Sequence, residues 1–479
     1  MPHFQITGGV ALCGTVRASG SKNAALPILA ATILASEPVR LDGVPRLADV
    51  RTQSQLLRCL GLHVTVENGR GGTDIPVCQS GGNCADRPAD RNVCPTLLLE
   101  TIDPAPVRAR EGLVRRMRAG FCVLGPLLAR RGHAVVPLPG GCNIGNRPVD
   151  LHLKGLAALG ADVRLERGYV VAAARRLTGA SIDLSGPNGP TVTGTANVMS
   201  AAVLARGATT ISGAAVEPEI VDLGRFLVAL GAHIEGLGTS TIQIHGVDQL
   251  GGASHRLIPD RIEAATLLIA AAVTRGSATV IGVMPEHLDA VLAKLRQTGA
   301  EIRVGADWVS ISAGGALRAV DVVAEPYPGV PTDVQAQWTA LASVSEGVSR
   351  VEDRVFPGRF LHVAELNRLG ANIVGGHGMA TVTGVDRLSG ARVAACDLRA
   401  SATLLLAGLA AHGTTIVEHI HHLDRGYERL DDKLRQLGAR IERVMDQPSN
   451  SAIPRPFADA FNSASRLASG EPVRRASSK

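Results

Sequence analysis

One cysteine of this 479-residue sequence lies in a glycine-rich loop that also contains an arginine. Cys142 follows Gly140 and Gly141, and Arg147 comes five residues later, directly before Pro148. Glycines let a backbone approach a ligand closely, and the planar guanidinium of an arginine suits phosphate or carboxylate. Two interpretations stay open from these residues alone: Cys142 is a reacting thiol beside a bound anion, or it is a buried, inert cysteine.

Polar residues recur where apolar helices are expected to begin. Six Ala- and Leu-rich segments are apolar around most of their circumference, which indicates helices buried on all sides, at 23–35, 116–131, 195–206, 261–275, 333–346 and 399–412. The polar residues at their starts are Lys22, Asn23, Arg118, Arg261, Asp333 and Arg399. Helix N-termini attract anions, so converging starts would form an anion-binding cleft. The alternative is that each charge only caps its own helix.

The elements that must position these residues form an internal repeat. A glycine after Leu or Thr, followed by a strand-like alternation, recurs at Gly61, Gly160, Gly231, Gly299, Gly370 and Gly438. Each glycine follows a helical pattern and suits the left-handed backbone just past a helix end. The spacing of these glycines is 68 or 71 residues, except for 99 between the first two, so we expect an insertion there. The sequence predicts an α/β fold of six repeats, three per lobe, with sheets wrapped around interior helices and a lobe boundary near residues 20 and 258.

Composition excludes several classes of protein. The chain has 45% hydrophobic residues, 3% aromatic residues and a net charge of +6, and it lacks basic runs with interleaved aromatic residues, so nucleic acid is not an expected partner. No apolar stretch approaches the roughly 20 residues of a membrane span, and no signal peptide is evident. We expect a cytoplasmic protein without a membrane partner. Cys78, Cys84 and Cys94 lack the spacing of a zinc site, so no metal is expected.

Five motifs resemble those of the UDP-N-acetylglucosamine enolpyruvyl transferase family. They are Pro-Gly-Gly-Cys142, Arg147-Pro-Val-Asp-Leu-His152, Ser-Lys22-Asn-Ala-Ala-Leu-Pro27, Pro-Thr-Asp333-Val-Gln-Ala-Gln337 and Asp397-Leu-Arg-Ala-Ser401. The resemblance runs from about residue 1 to 445 and leaves out only an insertion at about 68–95. It implies a two-lobed inside-out α/β barrel (enolpyruvyl transferase fold) with βαβαββ-type repeats. Residues 21–257 would form the N-terminal lobe, 1–20 with 258–445 the C-terminal lobe, and 446–479 a disordered tail.

The resemblance also implies a reaction. The family transfers the enolpyruvyl group of phosphoenolpyruvate to the 3-hydroxyl of UDP-N-acetylglucosamine, releasing phosphate by addition and elimination. This is the first committed step of peptidoglycan synthesis, and it uses no metal or organic cofactor. The expected partners are therefore these two small-molecule substrates, and the sequence leaves the oligomeric state open.

By the same resemblance, Cys142 is the general acid that protonates phosphoenolpyruvate and the target of fosfomycin. Asp333 orients or deprotonates the sugar hydroxyl, and Lys22, Arg118 and Arg399 hold the phosphate and carboxylate. The residues implied to bind the sugar nucleotide are Asn23, Arg147, Pro148, Val149, Asp150, Leu151, Thr191, Val192, Thr193 and Val355. Thr191 and Thr193 could instead cap the helix expected to start near Thr195. His152 either contacts and orients residues that bind the substrate, or it is purely structural.

The sequence departs from the family at the loop after Val355. Pro357 and Gly358 stand where the family usually has glutamate and asparagine, and Ala196 and Gly120 replace a common glutamate and serine. The loss of a carboxylate keeps two alternatives open. The chain is a paralogue that loads enolpyruvyl onto another nucleotide, or it binds a sugar nucleotide and regulates without turnover.

Overall fold

The computed structural model describes residues 2–67, 95–140 and 148–445. Several residues named above lie outside these ranges, namely Cys142, Arg147, almost all of the insertion with Cys78, Cys84 and Cys94, and the tail from 446. In the described part, no helix is long and apolar enough to cross a bilayer.

Thirteen α-helices occur in the described ranges. They are α1 (Lys22–Ala31), α2 (Ala48–Cys59), α3 (Glu111–Val114), α4 (Leu124–Arg131), α5 (Asp150–Ala158), α6 (Val192–Ala202), α7 (Pro218–Ala229), α8 (Arg261–Val273), α9 (Asp289–Gln297), α10 (Thr332–Ala342), α11 (His362–Arg368), α12 (Leu398–Ala410) and α13 (Leu430–Gln436). Short 3₁₀ helices span Thr32–Leu34, Arg118–Val123, Pro285–Leu288 and Ile420–Arg425.

The described strands are short. They are β1 (His3–Thr7), β2 (Cys13–Arg17), β3 (Val39–Asp42), β4 (Leu62–Glu67), β5 (Thr96–Thr101), β6 (His133–Pro137), β7 (Asp162–Glu166), β8 (Tyr169–Ala173), β9 (Ser181–Asp183), β10 (Ser185–Gly186), β11 (Gly189–Pro190), β12 (Ala208–Ser212), β13 (His233–Glu235), β14 (Thr241–His245), β15 (Ala253–Arg256), β16 (Ser277–Ile281), β17 (Glu301–Val304), β18 (Trp308–Ser312), β19 (Val322–Ala324), β20 (Val348–Asp353), β21 (Asn372–Gly376), β22 (Met379–Thr383), β23 (Arg392–Ala394), β24 (Thr414–Glu418) and β25 (Arg440–Val444).

These elements repeat six times, as the sequence predicts. One unit runs β9-α6-β12-α7-β13-β14, which is βαβαββ, and its sheet has the strand order β13-β14-β12-β9. In this sheet β9 is parallel to β12, whereas β14 is antiparallel to both of its neighbours. Four further four-stranded sheets share this order. The remaining unit has the three strands β6-β8-β7, and a parallel bridge from Arg108 to Val135 stands in place of its first strand. The expected α/β fold is confirmed.

Three strands pair with strands that are far away in the sequence. β15 is parallel to β3, so residues 253–256 complete the sheet that contains β4 and β5. β2 is parallel to β16, and β1 lies between β24 and β25, so the first 17 residues belong to sheets of the C-terminal half. The chain therefore crosses twice between two sets of three sheets.

The buried apolar side chains form two separate clusters. The first cluster contains residues from Ala24 to Ile258, and the second contains Phe4 to Ala18 together with Ile262 to Ile441. Strands such as β14 alternate between buried and exposed residues, so each sheet has one face on a core and one toward solvent. On this basis we propose the lobes 21–257 and 1–20 with 258–445.

The interior helices are buried as their composition predicts. All 13 residues of α8 are buried, and α1, α6, α10 and α12 are buried along nearly their whole length. The helix expected at 116–131 is instead divided into a 3₁₀ helix, Arg118–Val123, and α4. Pro126 explains the division, because it has no N–H with which to bond the carbonyl four residues earlier.

The six repeated glycines all adopt the left-handed backbone expected of them. The φ angles of Gly61, Gly160, Gly231, Gly299, Gly370 and Gly438 lie between 85° and 108°. Most other residues are strained at such angles, which explains why glycine recurs at each of these helix ends.

Removing residues 69–92 is expected to leave the fold intact. β4 and β5 are antiparallel, and Glu67 lies directly opposite Thr96, so the two strand ends already meet. The deletion leaves a four-residue connection, which is a common length for a hairpin. We expect the melting temperature to change by less than about 4 °C, which corresponds to about 1 kcal/mol or less. An aggregated or molten product in calorimetry would show that the deleted segment is needed for folding.

Candidate active site

The starts of the interior helices converge on one cleft of about 810 Å³ between the two hydrophobic clusters. The polar residues expected there all line it: Lys22, Asn23, Arg118, Arg261, Asp333 and Arg399. Residues from both halves of the chain thus border one space, as a two-substrate site between lobes requires.

Carboxylates already cap two of the helix starts that face the cleft. Asp260 caps α8 by accepting hydrogen bonds from Ile262 N and Glu263 N, and Asp397 caps α12 in the same way. Because these carboxylates already satisfy the first N–H groups, the starts of α8 and α12 are not open anion sites. The expectation of an anion-binding cleft therefore depends on the lysine and arginine side chains.

Asp333 is the centre of a buried charge cluster. Its Oδ1 accepts a hydrogen bond from Arg359 Nη1 at 2.8 Å, and its Oδ2 accepts one from Arg399 Nη2 at 2.7 Å. Asn23 Nδ2, from the other half of the chain, donates to Oδ2 at 3.2 Å. Burial raises the pKa of Asp333, but Arg399 and Arg359 outweigh burial and hold this pKa well below its usual value. The carboxyl group is therefore ionised at neutral pH.

The two arginines of this cluster have donors that no described residue accepts from. Arg399 is 2% exposed, and its Nε and Nη1 have no hydrogen-bond partner among the described residues. Nε of Arg359, which is 5% exposed, likewise has none in this part of the chain. Both guanidinium groups hydrogen-bond the same carboxylate, and a buried guanidinium donor without an acceptor is costly. An anion in the cleft would supply the missing acceptors.

A second carboxylate, Asp49, holds cations from both halves of the chain. Lys22 Nζ lies 2.8 Å from Asp49 Oδ2, and Arg425 Nε donates to Oδ1 at 2.9 Å. Burial raises the pKa of Asp49, but Lys22 and Arg425 reverse this effect and lower it below its usual value. Asp49 thus keeps two cations oriented at the edge of the cleft.

The residues predicted to bind the sugar nucleotide line the adjoining wall. Pro148, Asp150, Leu151, Thr191, Val192, Thr193 and Val355 all border the cleft. Arg118 Nη2 donates to the carbonyl of Pro148 at 3.0 Å, which places a guanidinium beside the start of α5. Val149 is not among the lining residues, since its side chain packs against the first hydrophobic cluster.

The two threonines differ in their roles at the start of α6. Thr191 is the N-cap residue, and its Oγ1 accepts a hydrogen bond from Gly194 N at 3.2 Å. Thr193 does not cap the helix, because it lies in the first turn with its Oγ1 3.1 Å from His152 Nε2. Both threonines nevertheless line the cleft.

Sequence reasoning did not single out Arg359, Arg425 or Asp49. The signal in the sequence is a polar residue at the start of an interior helix. Arg359 instead lies in the loop after β20, and Arg425 ends a 3₁₀ helix. A signal for Arg425 exists in the Asp424-Arg425-Gly426-Tyr427 segment, in which a charged pair precedes a glycine and an aromatic residue. Asp49 is only an acidic residue in the first turn of α2, so the sequence gives no such signal.

The loop that departs from the family keeps its arginine in the site. Phe356 and Arg359 line the cleft, whereas Pro357 and Gly358 do not. The carbonyl of Pro357 accepts a hydrogen bond from Gly378 N, which ties this loop to the β21–β22 turn. Gly120 is explained by packing, because a Cβ there would lie 3.1 Å from Val114 Cα.

Comparison with solved structures defines the class of protein. The enolpyruvyl transferase NikO from Streptomyces tendae matches with a TM-score of 0.79 and 28% identity, over 93% of this chain and 99% of that one. An EPSP synthase from Acinetobacter baumannii matches with a TM-score of 0.67 over 93% of this chain and 100% of that one, at 17% identity, which supports the fold alone. The fold and the cationic cleft are those of an enolpyruvyl transferase.

Sequence comparison specifies the family. The model of the EPSP synthase (3-phosphoshikimate 1-carboxyvinyltransferase) family matches residues 6–80 and 100–434. UDP-N-acetylglucosamine 1-carboxyvinyltransferase of Gloeobacter violaceus is 48% identical over 94% of this chain and 93% of its own length. The protein of the same name from Halorhodospira halophila is 47% identical over 93% of this chain and 100% of its own length. The chain belongs to the EPSP synthase family and, within it, to the UDP-N-acetylglucosamine 1-carboxyvinyltransferases.

Proposed function

We propose that this protein transfers the enolpyruvyl group of phosphoenolpyruvate to the 3-hydroxyl of UDP-N-acetylglucosamine and releases phosphate, as the first committed step of peptidoglycan synthesis. The observation that carries the proposal is the cluster of Asn23, Asp333, Arg359 and Arg399, in which a carboxylate and unpaired guanidinium donors border one cleft. The names of relatives that are 47% and 48% identical support the choice of acceptor.

The charges of the cleft suit phosphoenolpyruvate. In this proposal Arg399 binds its carboxylate or phosphate through the Nε and Nη1 donors, which have no partner in the part of the chain that the structure describes. Lys22 and Arg118 hold the remaining anionic oxygens from the opposite wall. Fixed cations of this kind stabilise the charge that accumulates on the phosphate as its bond to carbon breaks.

The addition step forms a bond from the acceptor oxygen to C2 of phosphoenolpyruvate. Asp333 orients the acceptor hydroxyl and takes up its proton, and Cys142 gives a proton to the methylene carbon C3. In the elimination step the Cys142 thiolate takes a proton back from the new methyl group, the bond from C2 to the phosphate oxygen breaks, and the proton held by Asp333 leaves with the phosphate. Cys142 lies outside the described residues, so its role follows from the sequence motif.

Asp333 is a weak base while both arginines hold it. An anion bound at Nε and Nη1 of Arg399 would partly neutralise this guanidinium and so weaken its attraction for Asp333 Oδ2, which lies 2.7 Å from Nη2. The basicity of Asp333 would then rise when the first substrate is bound, which fits an addition step that needs both substrates in place.

A second candidate is a paralogue that uses another nucleotide acceptor. It is favoured by Pro357 and Gly358, which remove the carboxylate and amide that the family usually has in this loop. The acceptor would still meet the wall formed by α5 and α6, so a nucleotide remains the expected class.

A phosphate-release assay is expected to separate these functions. Incubation with phosphoenolpyruvate and UDP-N-acetylglucosamine should release phosphate and yield a product detected by mass spectrometry, with no release when either substrate is omitted. Release only with a different nucleotide would support the paralogue. Binding of UDP-N-acetylglucosamine without release would contradict both and indicate a regulator without turnover.

A further inference from the structure

A chain of hydrogen bonds from buried main-chain groups ends at a hydroxyl in the cleft. We propose that Asn197 and His152 hold the Thr193 hydroxyl as a hydrogen-bond donor to a phosphate oxygen of the bound nucleotide. The two residues behind Thr193 are positioning residues that touch no substrate. This inference rests on the proposed function and adds how the nucleotide's phosphates are recognised.

Two main-chain groups fix the orientation of the Asn197 amide. Its Oδ1 accepts from Gly125 N at 2.8 Å, and its Nδ2 donates to the carbonyl of Phe121 at 3.0 Å. The reverse orientation would place an N–H opposite an N–H and an oxygen opposite an oxygen, which excludes it. Nδ2 also lies 2.9 Å from His152 Nδ1, so the amide presents a donor to this ring nitrogen.

The amide in turn fixes the tautomer of His152. A nitrogen that accepts a hydrogen bond carries no proton, so Nδ1 is bare and the imidazole proton is on Nε2. Nε2 lies 3.1 Å from Thr193 Oγ1 and therefore donates to it. His152 is 2% exposed and packs edge-on against Phe121, with 5.3 Å between the ring centroids, so the ring is held in place.

Because Thr193 Oγ1 accepts from His152, its own proton points elsewhere. Thr193 lines the cleft, and among the described residues its hydroxyl has no other hydrogen-bond partner. The hydroxyl is thus prepared to donate to a ligand. A threonine without the His152 contact could rotate its proton inward and act as an acceptor instead.

Several features at this wall favour a phosphate oxygen as the acceptor. The first turns of α5 and α6 both line the cleft, and helix N-termini stabilise negative charge. α5 and α6 pack closely, since a Cβ at Gly155 would lie 2.3 Å from Val198 Cγ2. The guanidinium of Arg118 lies beside the start of α5. A hydroxyl donor at such a place recognises an anionic oxygen better than a neutral one.

The test compares Thr193→Val with Thr193→Ser by calorimetric titration with UDP and with uridine. Removing the hydroxyl should weaken binding of UDP about tenfold, while uridine binding changes less than about twofold. The serine variant keeps the hydroxyl and should stay within about threefold of wild type for UDP. In turnover assays the valine variant should raise KM for the sugar nucleotide without changing KM for phosphoenolpyruvate.

Each contrary outcome has a separate meaning. UDP affinity that is unchanged in Thr193→Val overturns the inference, and so does an equal loss for UDP and uridine, which would assign Thr193 to the nucleoside. Wild-type protein that binds no UDP and releases no phosphate would contradict the proposed function instead.

The positioning role of His152 has its own test. His152→Phe keeps the ring packing and should weaken UDP binding to the same degree as Thr193→Val, with no further loss in the double variant. Additive losses would show that the two residues act independently and would overturn the chain of hydrogen bonds. If the phenylalanine variant does not fold, nitrogen NMR of the wild-type histidines decides: a proton on Nε2 of His152 is expected, and one on Nδ1 would contradict the inference.

Discussion

Replacing Cys142 with serine is expected to lower kcat by about a hundredfold or more and to abolish covalent labelling by fosfomycin. A serine hydroxyl is a much weaker acid than a thiol, and loss of a positioned general acid typically costs about two to four orders of magnitude in rate. Steady-state kinetics and intact-mass spectrometry after fosfomycin treatment measure the two effects.

Cys122 and Cys396 supply matched controls because both line the same cleft. Burial raises the pKa of the Cys122 thiol to about 12, and burial together with Asp397 raises the pKa of Cys396 to about 12. Neither thiol forms an appreciable thiolate at neutral pH, so serine at either position should leave labelling intact and change kcat by less than about threefold. Equal losses in all three variants would remove Cys142 from its assigned role.

The architecture was predictable from the sequence because its signals recur six times. A glycine past each helix end and an all-round apolar helix are local features, and the structure confirms the glycine in all six repeats and a continuous interior helix in five of them. Local features cannot show strand exchange, since the pairing of β15 with β3 depends on contacts more than 200 residues apart. Pro126 is a sequence signal for the division of the helix at 116–131, but the continuous apolar pattern of this segment favoured a single helix.

Without the family motifs, the candidate site was predictable only where its residues begin interior helices. Lys22, Asn23, Asp333 and Arg399 share that position, and a repeat places such positions around one axis. Arg359 and Arg425 reach the cleft from a loop and a 3₁₀ helix, and no periodic pattern marks either element. Each of these arginines belongs to the site because of the carboxylate that it contacts, and such a contact between distant residues can be seen only in a structure.

Replacing Asp333 with asparagine should affect both rate and stability. The amide keeps the shape but removes the carboxylate charge that pairs with both Arg359 and Arg399, so the two buried guanidinium groups repel each other more strongly. Breaking a buried ion cluster in this way costs about 3 kcal/mol in the free energy of unfolding. The same change removes the group that receives the acceptor proton, and kcat should fall by roughly two to four orders of magnitude. Urea unfolding and the phosphate-release assay measure the two losses.

The stability loss should not depend on pH between 5 and 8. The pKa of Asp333 is lowered in the folded state, so its stabilisation is fully present above the unfolded value of about 3.9 and is lost only as pH falls through the lower folded value. Asp386→Asn, at an exposed aspartate of the same half, is the control and should change neither quantity appreciably. Added inorganic phosphate should stabilise Asp333→Asn more than wild type, because the anion replaces the missing negative charge. A difference in unfolding free energy that shifts by more than about 1 kcal/mol between pH 5 and 8, or an undiminished kcat, would show that the carboxylate does not act between the two arginines as described.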